Sequence, residues 1–174
     1  MNPSGRSSDL SDQHTGSGQG RVRIKFRLVQ DELGYPPATS EMLWAAPVGE
    51  SLFCLDNIPF FVRGLSCFDV VQAREGADGL LEYDHLVEPR GHSTIRVIFH
   101  DTASDPRPLA DRVAELRRQL RELACPSELS HIPRLIAIDI PPEADFTLAR
   151  AILDAGERRK LWEYEEATIG RPIS

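Results

Sequence analysis

Few cysteines, no long apolar run and no excess of basic residues remove several familiar functions before any motif is read. Cys54, Cys67 and Cys125 are odd in number, widely spaced and outside any CxxC pair, which fits neither a disulfide framework nor a zinc site. They read as reduced thiols. No stretch approaches the ~20 apolar residues needed to cross a bilayer, and the first twenty residues lack the apolar centre of a signal peptide. A cytosolic protein is expected, with no membrane partner. Lysine and arginine number 20 against 27 aspartates and glutamates, for a formal net charge of -7. Affinity for phosphate backbones comes from basic residues that displace counterions, so nucleic acid is not an expected partner.

The usual signatures of chemistry are also missing. Neither GxGxxG nor GxxxxGK[ST] occurs, so no nucleotide or other cofactor is expected. Neither HExxH nor a paired Cys/His spacing occurs, and no metal is expected. There is no GxSxG, and the cysteines lie in apolar runs, where a thiol behaves as a small inert hydrophobe.

What is present is enough apolar material for one ordinary domain or two small ones, 41% hydrophobic with 27% charged in 174 residues. Residues 1–20 are Ser, Gly, Asp and Gln with little apolar beyond Leu10, a composition expected to form a disordered leader. Residues 21–28 alternate Val22, Ile24, Phe26 and Leu28 against Arg21, Arg23, Lys25 and Arg27, the period of a half-buried strand. Extended segments follow at 41–47 and 52–55. Residues 58–62 continue past the turn-favouring Asp56-Asn57, with a bend or edge expected near Pro59. Residues 69–74 and 80–87 form a hairpin across 75–79. These strands form a small all-β, barrel-like unit over residues 21–90.

After Pro89-Arg90-Gly91 helices enter the pattern. Residues 94–100 alternate as a strand with Ile95, Val97 and Phe99 on its apolar face. Leu109, Val113, Leu116, Leu120 and Leu123 then recur at helical steps, with Arg112, Arg117 and their charged neighbours expected to face solvent. A short strand at 127–132, a strand at 135–140, a helix from Phe146 closing near Gly156, and a strand at 161–167 complete the order strand, helix, strand, strand, helix, strand. This is the order of a ferredoxin-like split βαβ unit, expected over residues 91–170 and packed against the β unit. The overall class is therefore α+β. One face of the second sheet is left either open or covered by the first half; RNA binding on it is set aside because Phe99 belongs to the buried set.

Two constellations could carry a site. His92, Thr94, Arg96 and His100 share the face of their strand opposite the core, and parity puts Asp139 on the matching face of its own strand. A fixed guanidinium beside an imidazole suits a carboxylate or phosphate, although alternation alone also yields such polar faces. The second lies in residues 52–71, LFCLDNIPFFVRGLSCFDVV, the densest apolar and aromatic segment. There Asp56, Asn57 and Phe60 flank a proline bend, where irregular backbone makes pocket walls. The plainer reading is a buried corner in which Asp56 caps backbone amides.

The segment SEMLW with Ala45, the runs LDNIPFFVRG and DVV, GHSTIRV, and the later LIAIDIPP and WEYEEA together resemble a bacterial family catalogued as a domain of unknown function. The resemblance spans residues 22–170. It implies a bacterial cytosolic protein and carries over no catalytic residue. This chain departs from the family at Cys67-Phe68-Asp69, where similar members have glycine before the aspartate, so a wider turn is expected. The function expected is a non-enzymatic binding module for a partner protein or small anionic ligand, with immunity or regulatory roles as analogies. The alternative is a small-molecule enzyme using Asp56 or His92 as acid or base. Convergence of Asp56, His92 and Arg96 in one pocket would favour the enzyme, and separation would favour the binding module.

Overall fold

The computed structural model describes residues 20–101 and 105–170. The leader expected over residues 1–20 thus lies outside the described residues except for Gly20. Strands β1 (Val22–Arg27), β2 (Ser40–Gly49), β3 (Leu52–Leu55), β4 (Val70–Glu75) and β5 (Leu81–Glu88) pair in sequence order and close into a barrel. Successive strands run antiparallel, and closure comes from a parallel pairing of β1 with β5 that sets Ile24 opposite Leu81. The alternation in β1 does what its period requires: Ile24 and Phe26 are buried in the barrel with Leu43, Leu55 and Val71, while Arg23 and Arg27 face out. Gly79, with φ +74, turns the β4–β5 hairpin in a conformation that glycine adopts without strain.

The second half is an α+β arrangement of β6 (Ser93–Phe99), α1 (Leu109–Glu122), β7 (Ser127–Leu129), β8 (Leu135–Ile140), α2 (Phe146–Arg158) and β9 (Trp162–Thr168). Its strands lie in the order β7-β8-β6-β9, every pair antiparallel. Ile95, Val97 and Phe99 join Ile136, Ile138 and Ile140 under both helices, where Leu116, Leu120 and Leu153 complete the core. Trp162 packs edge-on against Phe99 and donates its indole N–H to the Leu153 carbonyl at 3.1 Å.

Four local expectations are corrected. Residues 58–62 form no strand, because a side chain takes their amides, as described below. The second helix runs on through Gly156 to Arg158. Gly156 serves there as a point of close approach, since a Cβ at that position would lie 1.8 Å from the Trp162 ring. Arg112 does not face solvent: it is 6% exposed, and its place three residues after Leu109 and four before Leu116 puts it inside the apolar stripe. The turn at Cys67-Phe68-Asp69 stays tight, with the Asp69 amide donating to the Ser66 carbonyl. Phe68 is held at φ +67, a region that glycine enters without strain and a bulky side chain rarely does.

The remaining face of the second sheet is covered. Residues 56–69, the connection between β3 and β4, lie across it, and Ile58, Cys67 and Phe60 pack onto Ala137 of β8. Every residue of β8 is buried and β6 is buried on both faces except at Ile98.

Candidate functional site

The seam between barrel and sheet is held by polar groups brought from far apart in sequence. Glu41 of β2, 9% exposed, turns its carboxylate under the bend and accepts the amides of Phe60, Phe61 and Val62 at 2.7, 2.9 and 2.8 Å. Three donors that a strand ladder would have used are thereby satisfied, which explains why this apolar run is a loop. Asp69, also buried, accepts the amides of Ser66 and Arg90 at 2.8 Å each. Its carboxyl is pushed up by burial, against the pull of those two bonds and of His92.

Of the residues singled out from sequence, Asp56 does not cap the bend. It pairs with Arg21 at 2.5 Å on the outer side of the barrel. Asn57 instead accepts the Trp44 amide at 2.6 Å and donates to Glu128, which also accepts the Ile58 amide. Phe60 packs into the seam and Phe61 walls a cavity.

On the sheet face, His92, Thr94, Arg96 and Asp139 do sit as parity placed them, but each is already engaged. His92 Nδ1 lies 2.9 Å from the Asp139 carboxylate, with the Phe68 ring 5.0 Å from the imidazole. Thr94 donates to the Ser66 hydroxyl at 3.0 Å, both groups fully enclosed. Arg96, 2% exposed, donates one terminal nitrogen to Glu165 at 2.8 Å and the other to the Val62 carbonyl, while its Nε finds no partner. The expectation of a guanidinium left free for an external anion is therefore corrected: Arg96 ties the bend to β9.

Burial pushes the Asp139 carboxyl up to about 6 from 3.8, against the stabilising field and hydrogen bond of His92. Because the folded protein holds this proton more tightly than the unfolded chain, ionising Asp139 costs stability. That penalty is absent below pH 3.8 and complete above pH 6. Relative to the parent, Asp139→Asn is expected to gain in urea-unfolding free energy as pH rises across that window. A constant offset between the two proteins would show that Asp139 does not titrate there.

Two hollows flank the bend. One, about 550 Å³, opens at the seam between Tyr35, Phe61, Ile98, Leu135 and Tyr164, with Arg96 and Glu165 in its lining. The other, about 460 Å³, lies at the barrel mouth under Phe26 and Tyr83 and shares Tyr35 and Phe61 with the first. Those two rings meet edge-on at 6.4 Å. Glu165 is shared by two cations, taking Arg96 on one oxygen and the exposed Arg63 on the other at 3.0 Å. Tyr35 senses this group: its hydroxyl pKa is raised by burial and then by Glu165, with Arg96 and Arg63 pulling the other way. Glu163 also borders the seam hollow, 3.8 Å from His100. Neither Asp56 nor His92 lines either hollow. The thiols offer no nucleophile, since burial pushes Cys67 to about 12 and Cys125 to about 11. Among the described residues no group of three or more His, Cys, Asp or Glu is placed to hold a metal ion, and no helix is long and apolar enough to cross a membrane.

Sequence reasoning missed Glu41 and Glu128 and left Glu165 in a generic acidic edge. The one local signal was in β9, where Trp162, Tyr164 and the glutamates alternate, but their partners lie up to 102 residues away.

A family model described as Domain of unknown function (DUF4265) matches residues 41–164. No curated protein matches the chain. A solved crystal structure of a hypothetical protein from Neisseria gonorrhoeae is similar with a TM-score of 0.70 and 20% identity, covering 87% of this chain and 97% of that one. At that identity the likeness speaks for the fold alone.

Proposed function

The chain belongs to the family described as Domain of unknown function (DUF4265), and from that premise we propose that it is a non-enzymatic binding module of the bacterial cytosol. Its ligand is a small anion with an apolar body, free or presented by a partner protein, held in the seam hollow. The observation that carries this reading is the sharing of one carboxylate by two guanidiniums, Arg96 inside the seam and Arg63 at its edge. Glu165 stands where an external carboxylate would bind, between the guanidiniums of Arg63 and Arg96. Tyr35, Phe61 and Tyr164 supply the apolar walls. Separation of Asp56 and His92 from the hollow weighs against the enzymatic alternative, in which either would act as acid or base.

The same reading takes the protein as two packed units, 21–90 and 91–170. It takes the second as ferredoxin-like, supported by the β-α-β-β-α-β order and the β7-β8-β6-β9 sheet.

Benzoate is a suitable probe, titrated into the full chain and followed by amide chemical shifts. Saturable shifts are expected at Tyr35, Phe61 and Ile98. Arg63→Gln should weaken binding about tenfold, the worth of one charge-assisted hydrogen bond, while Glu165→Gln should tighten it by removing the internal competitor. Unchanged affinity in both variants, or shifts confined to other regions, would overturn the proposal.

A further inference from the structure

Residues 28–39, the connection from β1 to β2, contribute the lip of both the seam hollow and the barrel mouth. The polar side chains of this loop serve its own backbone while its apolar ones meet water. Asp31 accepts the amides of Leu33 and Tyr35 at 2.9 Å each, and Gln30 donates to the Pro36 carbonyl at 2.9 Å. Val29 and Leu33 are left 92% and 94% exposed. A single exposed apolar side chain is ordinary. These two stand on the rims of adjoining hollows, Val29 at the barrel mouth and Leu33 at the seam, where a bound apolar group would take them out of water.

Both hollows are larger than a single ring requires. An apolar cavity of about 150 Å³ accommodates benzene, whereas the seam hollow measures about 550 Å³ and the barrel mouth about 460 Å³. They adjoin across Tyr35 and Phe61, which line both. Beyond that ring pair the mouth is walled by Phe26, Leu65 and Tyr83, which belong to the barrel core or pack against it. Its charged groups other than Arg63 are committed locally: Arg27 donates to both oxygens of Glu82 at 3.0 Å, and Asp31 serves its own loop. Arg63 lines the barrel mouth while its guanidinium reaches Glu165 in the seam lining at 3.0 Å. Its side chain is 66% exposed. An ion pair so open to water is weak, so an incoming carboxylate exchanges for Glu165 on Arg63 at little cost.

We propose that the ligand is a straight-chain carboxylate of the fatty-acid class, with its head on Arg63 at the seam and its chain passing over Tyr35 and Phe61 into the barrel mouth. This rests on the seam reading above and names the chemistry of its ligand. The head replaces one weak, exposed ion pair with another on the same guanidinium. The chain continues past the Tyr35–Phe61 contact, where a compact ring would stop, and it buries the apolar lip that the free protein leaves in water.

The full chain is titrated with benzoate and with butanoate, hexanoate, octanoate and decanoate below their aggregation concentrations, following amide chemical shifts. Affinity is expected to rise about fourfold per added methylene until the chain fills the mouth. Shifts at Tyr35 and Phe61 should be common to the series, and shifts at Val29, Leu65 and Tyr83 should appear only with its longer members. Val29→Asn should lower the ratio of decanoate to benzoate affinity about tenfold, because the chain would cover an amide that water had satisfied. The position is exposed in the free protein, and an unchanged melting temperature checks that the variant folds. Decanol carries the chain without the charge; if it binds as tightly as decanoate, the carboxylate head is overturned. Equal affinities of butanoate and decanoate, with benzoate still bound at the seam, would overturn the chain-length inference and leave the seam reading standing. Saturable binding of neither benzoate nor decanoate would end both.

Discussion

Replacing Arg96 with alanine is expected to lower folding stability by about 3–5 kcal/mol, the range for removing one member of a buried ion pair. The guanidinium is buried and serves two partners on different elements, Glu165 of β9 and the Val62 carbonyl in the bend. Glu165 is 37% exposed and partly recovers its hydration when the arginine is gone. The larger part of the loss therefore comes from the stranded carbonyl and from the volume left empty. Arg96→Lys should recover only part, since one ammonium cannot span both acceptors in the geometry of the fork. Chemical denaturation of the three proteins is the measurement. A loss below about 1 kcal/mol for the alanine variant would mean that the pair behaves as a surface salt bridge.

Glu41→Ala is expected to be comparably damaging through a different mechanism. The substitution removes no large apolar surface and breaks no ion pair, but it leaves the amides of Phe60, Phe61 and Val62 without an acceptor. A buried donor left unsatisfied costs about 1–3 kcal/mol, and with two of the three bonds fully enclosed the total should reach about 3–5 kcal/mol. Glu41→Gln retains one carbonyl oxygen and should fall between the parent and the alanine variant. Because the bend also carries Phe61 to the seam hollow and the Val62 carbonyl to Arg96, benzoate binding should weaken along with stability. Near-parent stability in Glu41→Ala would show that water takes over the three amides at little cost.

Both residues explain why a local reading placed the strands well and the site less well. The alternation of Ile24 and Phe26 with Arg23 and Lys25, and of Ile95, Val97 and Phe99 with their neighbours, reports the burial of one face because side chains on a strand alternate strictly. The stripe of Leu116 and Leu120 does the same for α1. These periods depend only on the chain's own geometry. Among the described residues they placed the strands and both helices to within a few residues, apart from the extended reading of residues 58–62, and they gave the change of grammar near Pro89 and the shared face of Thr94, Arg96 and Asp139.

Periodicity does not record what lies against the second face of a strand when that face is polar. Thr94 and Arg96 read as solvated because alternation makes polar positions wherever one face is wet. They are dry because residues 56–69 fold across them and bring Ser66 and the Val62 carbonyl within bonding distance. The same blindness hid Glu41, whose carboxylate turns an apolar run that scans as a strand into a bend, and Arg112, whose basic side chain outweighed its place in the stripe. In each case the deciding partner lies between 12 and 34 residues away along the chain. Composition, spacing and propensity are properties of neighbours in the chain and were enough to establish which elements form. Whether a charged side chain meets water, a carbonyl or another charge depends on how those elements close over one another, and only the tertiary structure decided that.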